Sequence, residues 1–166
     1  TRAHDTLPAL VRRELALPRE GSSNDELREY AFKHQMLHQV TYETVLRRTR
    51  RELHGKLARW LAAQTGLRAN DFLGEAARHF ELAGDAASAA EYHARAAEHA
   101  RTRFAHEAVL DHVERALARL DTTTATAARP LRWRLLEVRE ATLDVQGDRA
   151  RQRADIAAMA ELAEAL

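Results

Sequence analysis

Phe32-Lys33-His34-Gln35-Met36-Leu37-His38-Gln39-Val40-Thr41-Tyr42-Glu43-Thr44-Val45-Leu46 is the stretch on which the reading of the fold turns. Before it the chain is short and punctuated by Pro and Gly; after it amphipathic helical spacing runs almost unbroken. From Gln35 onward Met36, Leu37, Val40, Val45 and Leu46 recur with a period of about 3.6, which places them on one apolar helix face. The stretch therefore reads as a hinge between two modules, residues 1–66 and 67–166.

Upstream, Thr6 is a candidate cap, and Leu7, Leu10 and Val11 have helical spacing, with Pro8 tolerated in a first turn. Leu15 to Arg19 and Glu29 to Lys33 are short segments that alternate weakly. Between them Glu20-Gly21-Ser22-Ser23-Asn24-Asp25 is a turn cluster. A helix followed by two short strands around a polar tip matches the end of a winged helix. The first module is thus expected to be a winged-helix remnant with a β-hairpin and a connector. The connector holds the cluster Arg47-Arg48-Thr49-Arg50-Arg51 and a helix carrying Leu53, Leu57, Trp60 and Leu61, which Gly66 ends.

Downstream, Asn70 or Asp71 is expected to cap a helix with Phe72, Ala76, Phe80 and Ala83 on one side. Gly84-Asp85 then marks a stop and a start, and Gly147-Asp148 repeats it. The helix from Ala86 to about Arg103 has small residues at its core positions: Ala89, Ala90, Ala96, Ala97 and Ala100. Small residues allow neighbouring axes to approach the low end of the range of roughly 8–10 Å. A helix over 106–120 buries Val109, Val113, Ala116, Leu117 and Leu120. A Thr-rich loop over 121–129 precedes Pro130 and a stripe of Leu131, Leu135, Leu136, Val138 and Leu143, and a last helix runs to Leu166. The aromatic stripe Trp60, Phe72, Phe80, Phe104 and Trp133 is read as core.

Helix–turn–helix units of this length suggest an all-α array with a tetratricopeptide-like period of roughly 34 residues. The clearest unit is about 87–120, where Ala97 and Ala116 occupy small-residue packing positions. The repeat is degenerate: His93 stands where that pattern favours Trp, Ala100 where it favours Tyr, and Asp121 where it favours Pro. An irregular helical bundle is the alternative.

Composition narrows the function classes. Charged residues make up 31% of the chain, yet the net charge is +1, so charges are interleaved along helix faces and bulk charge argues against a nucleic-acid binder. The absence of cysteine removes disulfides and any Cys-based metal or redox site, and fits a cytoplasmic setting. No apolar run approaches the roughly 20 residues of a membrane span. Thr1 stands where a start methionine would, and Ile156, Met159, Ala163 and Leu166 carry an apolar pattern to the last residue. The expectation is a piece of a longer polypeptide.

Several motifs together carry a resemblance. They are Phe32-Lys33-His34, Val40-Thr41-Tyr42-Glu43, Arg50-Arg51-Glu52-Leu53-His54 and Ala77-Arg78-His79-Phe80-Glu81-Leu82-Ala83-Gly84-Asp85, then Arg95-Ala96-Ala97-Glu98-His99-Ala100, Arg139-Glu140-Ala141 and Gln146-Gly147-Asp148-Arg149. With these the chain resembles the region after the ATPase core in bacterial signal-transduction ATPases with numerous domains. The likeness points to the cyclase-associated and transcriptional-regulator subgroups. The resemblance implies a P-loop ATPase upstream in the parent protein, a winged helix, and then helical repeats. It also implies that His34, at the Phe-x-His position, senses bound ADP or ATP in the parent. The sequence itself has no G-x-x-x-x-G-K-[ST] stretch, so these residues alone are expected neither to bind nor to hydrolyse ATP.

Each candidate residue has a plainer alternative. His34 can donate to a phosphate oxygen and change charge near neutral pH, or it can pack at a helix start. His34 and His38 have the i, i+4 spacing of a zinc-protease helix, but Gln35 takes the general-base position and no third ligand is indicated. The arginine cluster at 47–51, and Arg12 and Arg13 on the first helix, offer cations to nucleic acid or to an acidic surface, or are solvated. Tyr92, His93, Arg95, His99 and Arg103 are expected to line a partner-binding groove, as repeat arrays provide. The reading is a non-catalytic regulatory fragment with no cofactor of its own. Its partners would be protein segments or neighbouring domains of the same chain. The alternatives are a stand-alone adaptor and a DNA-binding winged helix.

Overall fold

The computed structural model describes residues 2–19, 29–64, 69–121 and 128–164. The expected turn cluster at 20–25, the stop at Gly66, residues 122–127 of the Thr-rich loop and Leu166 lie outside them. The described chain is mostly helical with one small sheet, and it divides into two compact units, 1–49 and 50–166.

The first unit holds α1 (Arg2–Arg12), β1 (Ala16–Arg19), β2 (Glu29–Phe32) and α2 (Gln35–Thr44). Glu14 takes a left-handed φ of 55° as the chain leaves α1, and Leu15 N–H donates to Leu10 O. The two strands pair antiparallel, Ala16 opposite Phe32 and Arg19 opposite Glu29. Pro18 removes one donor, which a two-stranded hairpin tolerates because each strand has a free edge. Ala16 is buried, and Lys33 Nζ reaches Glu14 Oε2 at 2.5 Å across the base of the hairpin. Of the apolar face expected on α2, Leu37 and Val45 are half-buried among the described residues, and the rest is exposed. The helix buries no residue, and Met36, Val40 and Leu46 are exposed.

The boundary between the units falls within α3 (Arg47–Ala62), not at residue 66. The reason is packing: Ala58 of α3 forms a cluster with Phe80 of α4 (Leu73–Ala83) and Ala89 of α5 (Ala86–Thr102). The main core lies further along. Ala90, Ala94, Ala97 and Ala100 of α5 pack on Val109, Val113, Ala116, Leu117 and Leu120 of α6 (His106–Leu120) and on Leu135 and Leu136 of α7 (Arg129–Gln146). Met159 and Leu162 of α8 (Arg149–Glu164) cover it from one side. Successive helices from α4 to α8 are neighbours, and α5 also meets α7. That last contact is what stacked helix pairs of a repeat array require.

Two expectations fail locally. A 3-10 turn over Ala69–Phe72 precedes α4, and Phe72 takes the cap position with no side-chain hydrogen bond, so neither Asn70 nor Asp71 caps the helix. Of the aromatic stripe, Phe80 is buried and Phe72 and Trp133 are half-buried, but Trp60 and Phe104 are exposed. Phe104 has a φ of 56° in the α5–α6 turn, which swings it away from the core. Among the described residues no helix is long and apolar enough to cross a membrane.

Candidate functional site

His34 stands just before α2 in extended backbone (φ −126°, ψ 130°), makes no side-chain cap bond and is exposed. His38, one turn on, lies beside Phe32 and Tyr42 with ring centroids 5.2 and 6.1 Å away. Among the described residues no three His, Cys, Asp or Glu side chains form a group able to hold a metal ion.

The groove residues fall on α5, and the helical pitch sorts them. Each residue turns about 100° around the axis, so positions 92, 95, 99 and 103 share a face and position 93 does not. The arginine Cζ of Arg95 lies 4.8 Å over the Tyr92 ring, and Tyr92 in turn packs on Phe80 with centroids 5.1 Å apart. Next to this stack is a cleft of about 290 Å³ lined by Asn70, Leu73, Arg95, Glu98, His99 and Thr102. His99 Nε2 is buried there, with no hydrogen-bond partner among the described residues. Arg103 stands 3.9 Å from Asp71 Oδ1, bringing the end of α5 to the turn before α4. Glu98 is engaged from α7, with Arg134 Nε at 2.7 Å.

His93 does not line the groove, which corrects the sequence reading. It is 1% exposed, and its Nδ1 lies 3.0 Å from Nδ1 of His112 on α6. Its Nε2 lies 3.3 Å from Glu81 Oε1 of α4, neither atom having a hydrogen-bond partner among the described residues. Glu81 also meets Arg119 Nε at 3.3 Å and Arg115 at 3.8 Å. Burial holds His93 below the ordinary imidazole value. Glu81 pulls the other way, while His112 and Arg115 add to the lowering. His112 is lowered too, by burial first.

A second pair repeats the arrangement. His54 of α3 and His79 of α4 bring their Nδ1 atoms to 2.9 Å, with rings stacked at 5.0 Å between centroids. Burial is again the first cause that lowers both. The sequence reading missed both pairs, because 25 and 19 residues separate the partners and no local spacing joins them. One signal was present for His93: it falls four residues after Ala89 and four before Ala97, on the buried stripe.

A larger cleft of about 660 Å³ lies between α6, α7 and α8, with Leu117, Leu136 and Leu162 among its lining residues. Its charges largely satisfy one another. Arg132 pairs with Asp121, Arg139 with Asp155, and Glu114 with Arg151. The smaller cleft on α5 is the better ligand candidate, because it holds a buried ring nitrogen with no partner among the described residues beside the half-buried Tyr92 and the exposed Arg95. Comparison of the chain with protein-family models, curated proteins and solved structures finds no match.

Proposed function

We propose that this chain is a non-catalytic regulatory scaffold within a larger signalling ATPase, and that the exposed face of α5 receives a protein segment or a neighbouring domain. The observation that carries the docking part is the α5 cleft, where His99 Nε2 is buried with no partner among the described residues, next to the Arg95–Tyr92 stack. A peptide carbonyl or carboxylate supplies the acceptor that both Arg95 and a ring N–H of His99 need. Tyr92 offers rigid, half-buried aromatic area of the kind that anchors interfaces. The ATPase part rests on the resemblance at Phe32–His34 and along the repeats, and it assigns nucleotide sensing to His34 in the parent protein. Bulk charge and the ordinary helix faces favour a protein partner over DNA.

Two experiments test the two parts separately. Binding of the chain to a peptide array is expected to yield ligands whose affinity falls at least about tenfold in Arg95→Ala and His99→Ala, the cost of roughly 1.4 kcal/mol of lost contact. Ligands that bind both variants unchanged would place the docking surface elsewhere. For the ATPase part, His34→Ala in the parent protein is expected to shorten ADP retention. Unchanged retention and output sink the sensor role and leave a helical adaptor.

A further inference from the structure

We propose that the His93–His112 and His54–His79 pairs are proton-controlled latches, each holding its helix seam closed while it carries at most one extra proton and releasing it when both rings are charged. The two pairs bridge different seams, α5 to α6 and α3 to α4, with the same atom-to-atom geometry. This goes beyond the docking reading and needs neither nucleotide nor partner.

The geometry sets the proton count. At 3.0 Å and 2.9 Å the facing Nδ1 atoms must share a single hydrogen, one ring donating and the other accepting. The donor ring can still take a proton at its outer nitrogen without losing that bond. A proton on the acceptor Nδ1 sets two N–H groups against each other and ends it. At the first pair Glu81 favours an N–H on His93 Nε2, which makes His93 the acceptor and His112 the donor.

The surrounding charges limit where the protons go. Facing the first pair are Glu81 from α4, and Asp111, Arg115 and Arg119 from α6. Arg134 of α7 pairs instead with Glu91 and Glu98, each more than a third of a turn around α5 from His93. Facing the second pair are Arg50 of α3, and Glu75 and Arg78 of α4. Glu81 is already close to two arginines, so it cannot fully neutralise a doubly charged pair beside it. Room is also short. Gly74 of α4 lies against the His112 ring, and a methyl group there would stand 3.1 Å from His112 Cε1, so any larger residue at 74 would crowd the pair.

Urea unfolding of the whole chain from pH 8 to 5, followed by the fluorescence of Trp60 and Trp133, tests the proposal. The unfolded rings titrate near the ordinary imidazole value of about 6.5, and burial holds the folded ones lower. The latch contribution is therefore complete above 6.5 and is lost as pH falls through the folded values. In that window the unfolding constant should rise roughly tenfold per pH unit for each proton that a closed pair refuses. His112→Gln and His54→Gln should each reduce that slope by about one proton. A pH-independent unfolding constant, or variants with the wild-type slope, overturns the proposal. Imidazole nitrogen spectra of the unaltered chain give a reading that does not depend on the variants folding. One protonated and one bare Nδ1 per pair are expected, and four rings titrating independently near 6.5 overturn it.

Discussion

Arg139 and Asp155 show what a buried charge requires in this fold. Asp155 is 3% exposed on α8, and Arg139 of α7 meets it with two parallel bonds, Nε to Oδ2 at 2.9 Å and a terminal nitrogen to Oδ1 at 2.5 Å. The bidentate match pulls the arginine above its ordinary pKa, with the hydrogen bond to Asp155 as the first cause. Removing one partner strands the other charge, which costs about 3–5 kcal/mol when the pair is fully buried. Arg139 retains some exposure, so Asp155→Ala is expected to cost about 3 kcal/mol by urea unfolding, the low end of that range. A loss below about 1 kcal/mol, the value of an exposed pair, would show that water already reaches this one. Neither this clamp nor the histidine pairs could be read from the sequence. Arg139 and His93 look like ordinary polar residues on helix faces until the partner helix is placed, and that placement is a tertiary fact.

The helices themselves were legible, because spacing and punctuation are local. Gly84 and Gly147 end α4 and α7 in the left-handed region, at φ 84° and 76°, where only glycine is unstrained. Asp85 and Asp148 then open α5 and α8, their Oδ1 atoms accepting from Ser88 N–H at 3.0 Å and Arg151 N–H at 3.1 Å. Each Gly-Asp step thus stops one helix and caps the next. Asp85→Ala and Asp148→Ala should each cost about 1 kcal/mol, and the double variant about the sum, because the two caps share no partner. A double variant that loses no more than either single one would argue against independent caps. The Asn70 and Asp71 reading failed because a 3-10 turn intervenes, and nothing in the composition of Ala69–Phe72 distinguishes that turn from the start of α4.

At the scale of the whole molecule the helical class and the hairpin followed from periodicity, but the division of the chain did not. The sequence placed α3 with the connector because Arg47-Arg48-Thr49-Arg50-Arg51 looks like a junction. The apolar contacts of Ala58 place most of that helix in the second unit. Among the described residues both hydrophobic clusters draw their buried members from positions 58–136, with support as far as Leu162. A core assembled from one stretch of chain can fold without the stretch before it. A chain starting at Arg47 should therefore keep its helical circular dichroism and unfold cooperatively. Its midpoint should lie within about 4 °C of the parent chain, the shift made by about 1 kcal/mol in a domain of this size. Leu143→Ala supplies the contrast. Leu143 is fully buried on α7, so truncation should cost about 2–5 kcal/mol and lower the midpoint well beyond that margin. If removing residues 1–46 lowers the midpoint as far as Leu143→Ala does, the second unit is not an autonomous fold, and its stability depends on the segment that carries His34.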